Sequence, residues 1–237
     1  MQDRWFVCLK HGTKYDAEYV NTLHSMFKRN APSDVRFACY TDNRNNINKD
    51  IETFDLPFVG NVTGWWYKPL FFKPDLPTQG TILYSDLDVI IFNDIGKFYD
   101  VYPNKFCILR DFTRKMRPDW PKFNSSIFRL EVGSHSYVYE NFIKDPRKHI
   151  RLHHGDQDYI YEQVIKGNHL YQLYPDSWAQ SYKWEMRNMA KITRIDGVRT
   201  FAEKGHPYIK KDTSIAVFHG QPNPRECNDD WVIDNWK

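Results

Sequence analysis

The sequence predicts an α/β fold with a mainly parallel sheet flanked by helices. Short, continuously apolar runs alternate with segments of helical period, the pattern of strand–helix–strand units. Several runs break into carboxylates, amides or histidine at their ends, where open α/β sheets form a ligand crevice. A length of 237 residues suits one domain with a substantial core, taken as 1–237.

Residues 5–9 read as a buried strand, and Val20, Leu23 and Phe27 recur at helical spacing within 15–29. Residues 35–40 give a second strand, ending in Thr41, Asp42 and Asn43, and 51–56 a shorter third. Pro69 suits the first turn of a short helix running to Lys73, with Lys68 just ahead of it. Strands follow at 82–85, 106–109 and 126–130, then helices at 134–143 and 156–165, the latter opening on acidic residues that favour its N-terminus. Between them, 110–122 holds five basic residues and two prolines without periodicity, which predicts a surface loop, either a lid or binding loop or a solvated one. Residues 174–200 carry no assignable pattern.

The 33 basic and 30 acidic residues leave a net charge of +3, too balanced for a non-specific nucleic-acid binder, and no nucleic-acid recognition motif is present. Cys8, Cys39, Cys107 and Cys227 are widely spaced with no Cys-x-x-Cys, indicating neither a zinc knuckle nor a disulfide framework. The first three lie in apolar runs, as buried free thiols do. No apolar run reaches the length of a signal-peptide core or a membrane span, so a cytoplasmic protein with no transmembrane segment is expected. Aromatic residues make up 16% of the chain, including Trp65, Trp66 and Tyr67; most are expected in the core, with sugar or base stacking as the second use.

Residues 81–92, TILYSDLDVIIF, form an apolar run that breaks into Asp86 and Asp88 and then resumes. Two carboxylates two residues apart in extended chain project from one face and converge on one cation. The run 215–218 breaks likewise at His219 and Gly220. If the two runs are neighbouring strands, two oxygen ligands and one nitrogen ligand meet at one sheet edge. A buried carboxylate pair needs a cation, and a divalent one suits a phosphorylated substrate. The alternative is a strand end whose carboxylates accept backbone hydrogen bonds. Asp-x-Asp alone is a weak motif, and the chain has a second at Asp156 and Asp158. His153 and His154 are adjacent, point apart in most backbones and read as surface or packing histidines.

Taken in order, the strand–turn–helix start, ILYSDLDVIIF, FNSSIFRL, GDQDYIYEQV and VFHGQPNP resemble the GT-A-fold glycosyltransferases of the glycogenin and lipopolysaccharide galactosyltransferase group. The set spans residues 4–226, and its order makes it far more specific than any one motif. The resemblance implies metal-dependent transfer of a hexose from a UDP-sugar to a glycan, lipid-linked or protein acceptor, with retention of configuration. Asp86, Asp88 and His219 would hold Mn2+ or Mg2+, a histidine ligand tilting the choice towards manganese. Asn124 and Ser125 match the segment beside the sugar, and Asp156 and Gln157 the Asp-Gln pair near the reacting carbon. Lys68 matches a donor-contacting basic residue, and Thr13 and Tyr15 fall where the nucleotide base packs.

One departure stands out. Where the group has a lysine contacting the pyrophosphate, this chain has Asn223 before Pro224, and nearby Arg225 is the candidate replacement. Asp156 or the Gln157 amide would steady an oxocarbenium-like sugar, and Asp156 equally suits the cap of helix 156–165. Trp178, Tyr182 and Lys183 fit either an acceptor groove or ordinary packing. Two rival readings remain at this point. One is a catalytically weak protein of the same fold that binds sugar nucleotides or glycans. The other is a haloacid-dehalogenase-type phosphatase, whose Asp-x-Asp normally lies on the first strand and wants Thr or Val where Ile90 stands.

Overall fold

The strand β1 (Arg4–Lys10) is buried along nearly its whole length because it is apolar on both faces. In the computed structural model, which describes residues 3–56, 59, 62–167 and 170–237, it forms the centre of the sheet. It lies between β2 (Val35–Thr41) and β4 (Thr81–Ser85), parallel to both, and β3 (Glu52–Asp55) adds a further parallel strand beyond β2. On the other side β7 (Phe123–Glu131) runs antiparallel to β4 and to β6 (Phe106–Arg110), and β8 (Tyr171–Leu173) closes parallel to β6. The order is β3-β2-β1-β4-β7-β6-β8, mainly parallel as expected, with β7 reversed.

Each face has its own apolar cluster. Helix α1 (Ala17–Asn30) turns Val20, Leu23 and Phe27 onto one face, where Phe27 meets Phe6 and Phe37 at ring distances of 5.3 Å each. The opposite face is covered by α3 (Ser136–Lys144), α5 (Asp156–Lys166) and a 3₁₀ segment, Gly64–Phe72. That segment replaces the short helix expected from Pro69 and takes Pro69 inside it; most of its residues are buried, so no helical period marks its start. Among the short elements without a sequence signal are α2 (Lys97–Asp100), α4 (Pro146–Leu152), which has no buried residue, and α6 (Asp230–Asn235).

The run 215–218 does not neighbour β4. Its strand β12 (Ile215–Val217) pairs antiparallel with β5 (Val89–Ile91) and parallel with β9 (Ala179–Ser181), in a separate three-stranded sheet. The chain bends after Asp86, Leu87 buries its side chain, and β5 leaves the central sheet. Residues 174–200 supply β9, a single π-turn (Tyr182–Met186) and β10 (Ile192–Ile195), which forms a hairpin with β11 (Val198–Phe201). Strands of three or four residues show no readable period. The segment 110–122 is anchored at its base: Arg114 forms a buried ion pair with Glu185 at 3.2 Å and Arg110 pairs with Asp176, which leaves residues 115–119 exposed. Cys8, Cys39, Cys107 and Cys227 are buried free thiols.

Arg129, on β7, is 1% exposed and spends its charge on backbone. Its guanidinium donates to the carbonyls of Phe98, Tyr99 and Val101 at 3.0, 2.6 and 2.6 Å, and to those of Tyr102 and Lys105. These include α2 carbonyls that the helix end leaves without intrahelical donors. Arg129→Met removes this donor from the other carbonyls, while Phe98 keeps the Tyr174 hydroxyl at 3.0 Å, and urea titration is expected to show a loss of about 3 kcal/mol. A loss below about 1 kcal/mol, the worth of one ordinary hydrogen bond, would contradict this role.

Candidate active site

The C-terminal ends of β1 and β4 and the beginning of the reversed β7 meet at one end of the sheet. There they enclose, with the start of α5 and the residues after β12, a cavity of about 380 Å³. Its lining includes Tyr15, Lys68, Asp86, Asp88, Asn124, Ser125, Asp156, Gln157 and His219; Thr13, Arg225 and the acceptor-groove candidates Trp178, Tyr182 and Lys183 are not part of it.

Lys68 sits at the back of the cavity, 5% exposed. Its Nζ lies 2.9 Å from Asp86 Oδ1 and 3.5 Å from Asp156 Oδ2, and donates to Ser125 Oγ at 3.1 Å. Ser125 Oγ donates in turn to Asp156 Oδ2 at 2.6 Å, and the Tyr84 hydroxyl to Asp86 Oδ1 at 2.9 Å. Burial acts to lower the Lys68 pKa, but Asp156 and Asp86 outweigh it and hold the ammonium above the ordinary lysine value. Burial raises the Asp156 pKa against the pull of Lys68. Ser125 reaches this cluster because β7 slips register: Ile108 faces Phe128 while Leu109 faces Asn124, so the intervening residues bulge. Asn124 Oδ1 accepts from the Ser126 N–H at 3.0 Å, leaving its Nδ2 as a donor for a ligand.

Asp86 and Asp88 converge by a bend rather than by the pleat of a continuous strand. The Asp86 N–H still bonds Ser126 O at 2.9 Å, extending the β4–β7 ladder, whereas the Asp88 carbonyl accepts from the Phe218 N–H at 2.9 Å, already in the second sheet. Asp88 is 8% exposed and its Oδ2 accepts from the Tyr15 hydroxyl at 2.8 Å. Burial, then the Asp86 charge, pushes its carboxyl up to about 6.

His219 follows Phe218 and so stands beside Asp88 along the ladder. Its ring stacks on Phe112 at 5.5 Å, and its Nε2 is 2.6 Å from Ser181 Oγ. Burial, then Lys183, lowers its pKa to about 3, which keeps the imidazole neutral, the form that binds metals. Among the described residues no group of three His, Cys, Asp or Glu side chains forms a ready metal cage. The carboxylates nevertheless fit a divalent cation: Asp86 and Asp88 bring oxygen donors to one cavity, and Asp88 is buried without an ion pair among the described residues. Coordination by His219 through Nε2 requires giving up the Ser181 bond.

Gln157 donates through Nε2 to Asp111 Oδ2 at 3.1 Å, and Asp111 is itself fixed by the Thr113 N–H at 2.7 Å. The Gln157 Oε1 is thereby left for a ligand. Two of the expected donor-binding residues lie off the cavity. Thr13 is exposed and off the cavity; Gly12, at φ +66 with its N–H on Asp42 at 2.9 Å, turns the loop so that His11, Lys14 and Tyr15 line the wall. Arg225 is likewise off the cavity, paired with Asp16 at 2.7 Å and Glu18 at 2.8 Å around the start of α1.

Trp178 and Tyr182 are packing residues: Trp178 meets Phe98 at 5.3 Å, and Tyr182 stacks on Phe218 at 4.5 Å with its hydroxyl on Asp229. His153 bonds Glu162 at 3.1 Å beside a separate cavity, and His154 is exposed. Trp65, half-exposed on the cavity wall, and Ser181 had no sequence signal beyond their residue type.

No family model matches the chain, and no curated protein sequence matches it. Solved structures do. The galactosyltransferase LgtC, in complex with donor and acceptor sugar analogues, superposes with a TM-score of 0.62 at 13% identity, over 97% of this chain and 93% of that one. GlyE, a glycosyltransferase of Streptococcus pneumoniae TIGR4, matches with a TM-score of 0.56 at 15% identity over 76% of this chain. The chain spans about half of GlyE, 48% in that comparison. Mouse xyloside xylosyltransferase 1 gives 0.54 at 13% identity, over 93% of this chain and 98% of that one. The fold is that of the GT-A glycosyltransferases, with the cavity in the crevice where such α/β folds take their ligands. Among the described residues, no helix is long and apolar enough to cross a membrane.

The folded Asp88 pKa of about 6 exceeds the unfolded value of about 3.9, so the native state holds a proton more tightly and loses stability as pH rises between the two. In EDTA, Asp88→Asn is expected to be more stable than wild type by about 2–3 kcal/mol at pH 8, a gain that nearly vanishes at pH 4. Urea unfolding at both pH values measures it, and equal stabilities at pH 8 would contradict the assignment.

Proposed function

We propose that this protein is a glycosyltransferase that moves a hexose from a UDP-sugar to a hydroxyl of a glycan, lipid-linked or protein acceptor, with retention of configuration. One observation carries the reading: on a GT-A fold, a single cavity in the sheet crevice gathers the Asp86, Asp88 and Asp156 carboxylates around the Lys68 ammonium.

When the bond between sugar and diphosphate breaks, negative charge grows on the phosphate oxygen and positive charge on the ring. Asp86 and Asp88, with His219 beside them, would hold Mn2+ or Mg2+, which when bound supplies Lewis-acid stabilisation of the departing diphosphate. Lys68 pairs with Asp156 Oδ2, which Ser125 also fixes, and its charge opposes the burial that raises the Asp156 pKa. Asp156 Oδ1 and Gln157 Oε1 then face the developing oxocarbenium charge, and Asn124 Nδ2 donates to a sugar hydroxyl. Tyr15 brings its ring to the nucleotide side of the cavity while its hydroxyl steadies Asp88. The acceptor hydroxyl approaches the face that the diphosphate leaves and passes its proton to the departing phosphate oxygen, so no protein base is required. A binding protein of the same fold without turnover is the second reading, favoured by Asn223 where the related group has lysine.

Release of UDP from a panel of UDP-sugars, with Mn2+ or with EDTA, tests the proposal without a known acceptor. Release from one sugar that depends on Mn2+ and falls about 10- to 100-fold in Asp88→Ala is expected. Binding of UDP without release from any sugar would favour the second reading, and absence of UDP binding would contradict both.

A further inference from the structure

The diphosphate of a bound donor needs positive charge from the protein; Lys14, on the cavity wall, lies over the Tyr15 and Trp65 rings at 4.7 and 6.0 Å, and two other candidate cations are committed to carboxylates. Arg225 is engaged by Asp16 and Glu18, and Lys68 by Asp86 and Asp156. Position 223 is an amide.

Lys183 is different. It stands in the π-turn Tyr182–Met186, is 6% exposed, and forms no ion pair with a carboxylate among the described residues. Among the described residues its Nζ donates to the Gln221 carbonyl alone, at 3.4 Å, the long end of hydrogen-bond distance. Burial pulls its pKa down to about 8, the mark of an ammonium short of negative partners, with Asp88 the carboxylate that acts on it. Gly220, which lies beside Nζ, lines the cavity at φ +74. A Cβ at that position would stand 3.4 Å from Nζ, so the bare glycine backbone brings the ammonium up to the wall.

We propose that Lys183 binds the diphosphate of the donor, its ammonium leaving the Gln221 carbonyl and passing Gly220 to a phosphate oxygen. The assignment rests on the reading of the cavity as a sugar-nucleotide site. It places a pyrophosphate cation on the turn after β9 rather than on the segment that follows His219.

UDP and uridine, titrated in Mn2+ and followed by tryptophan fluorescence, separate phosphate recognition from base recognition. Lys183→Met is expected to weaken UDP binding about 10- to 100-fold and to leave uridine binding unchanged, with Lys183→Arg recovering most of the loss. Lys183→Gln, checked by thermal unfolding, serves if the methionine variant fails to fold. Unchanged UDP affinity in the folded variants, or an equal loss for UDP and uridine, overturns the assignment. Wild-type protein that binds uridine and UDP equally overturns it as well, and wild-type protein that binds neither overturns the site reading beneath it.

Discussion

The ammonium of Lys68 is the constraint on which the site end of this molecule depends. Asp86 ends a central strand, Asp156 begins a helix, and Ser125 lies in a bulge of the reversed strand; all three meet at one buried nitrogen. Two carboxylates about 4 Å apart repel by about 4 kcal/mol at an effective dielectric constant of 20, so without that cation the elements bearing them would be driven apart. The same ion divides the carboxylates into two kinds. Asp86 and Asp156 have an ion pair supplied by the fold, whereas Asp88, among the described residues, has the Tyr15 hydroxyl and no ion pair, and burial pushes its carboxyl up to about 6. The fold thus neutralises part of the cluster permanently and leaves the rest to a ligand.

The second structural fact is that the Asp86–Asp88 step crosses from one sheet to another. Asp86 still belongs to the ladder with β7, and Asp88 already pairs with the strand that leads to His219. The cavity therefore has one wall from each sheet. It also explains why His219, over a hundred residues downstream, stands beside Asp88: the β5–β12 ladder carries it there. The small sheet contributes a further wall through β9, whose Ser181 holds the His219 ring and whose following turn presents Lys183.

The parts legible in the sequence were those whose burial leaves a pattern. Residues 5–9 and 35–40 are apolar on both faces, α1 turns three apolar residues inward at helical spacing, and both were read within a residue or two. Most cavity residues were legible as well, because their motifs occur in a recognisable order. What the sequence hid depends on distant partners. Arg225 lies near position 223 in the chain, but its partners are at the start of α1. The segment 110–122 reads as a loose loop until Glu185 and Asp176 are seen to hold it. Thr13 and Lys14 are neighbours in sequence, and only the left-handed turn at Gly12 decides which of them faces the cavity. Lys183 was legible as an acceptor-groove or packing residue and not as a phosphate ligand, because that role depends on its surroundings in the fold.

The central claim is that Asp88 is the open, cation-requiring edge of a charge cluster whose closed part, Asp86 and Asp156, is built on Lys68, and that a cation joins there by bridging Asp88 to Asp86. A crystal structure grown with UDP and Mn2+, with anomalous data collected at the manganese edge, tests it most directly. The expected result is one anomalous peak within about 2–2.3 Å of an oxygen from each of Asp86 and Asp88, with Lys68 still on Asp156. UDP bound in the cavity with no peak between those carboxylates, or with manganese bound by other residues, would contradict it.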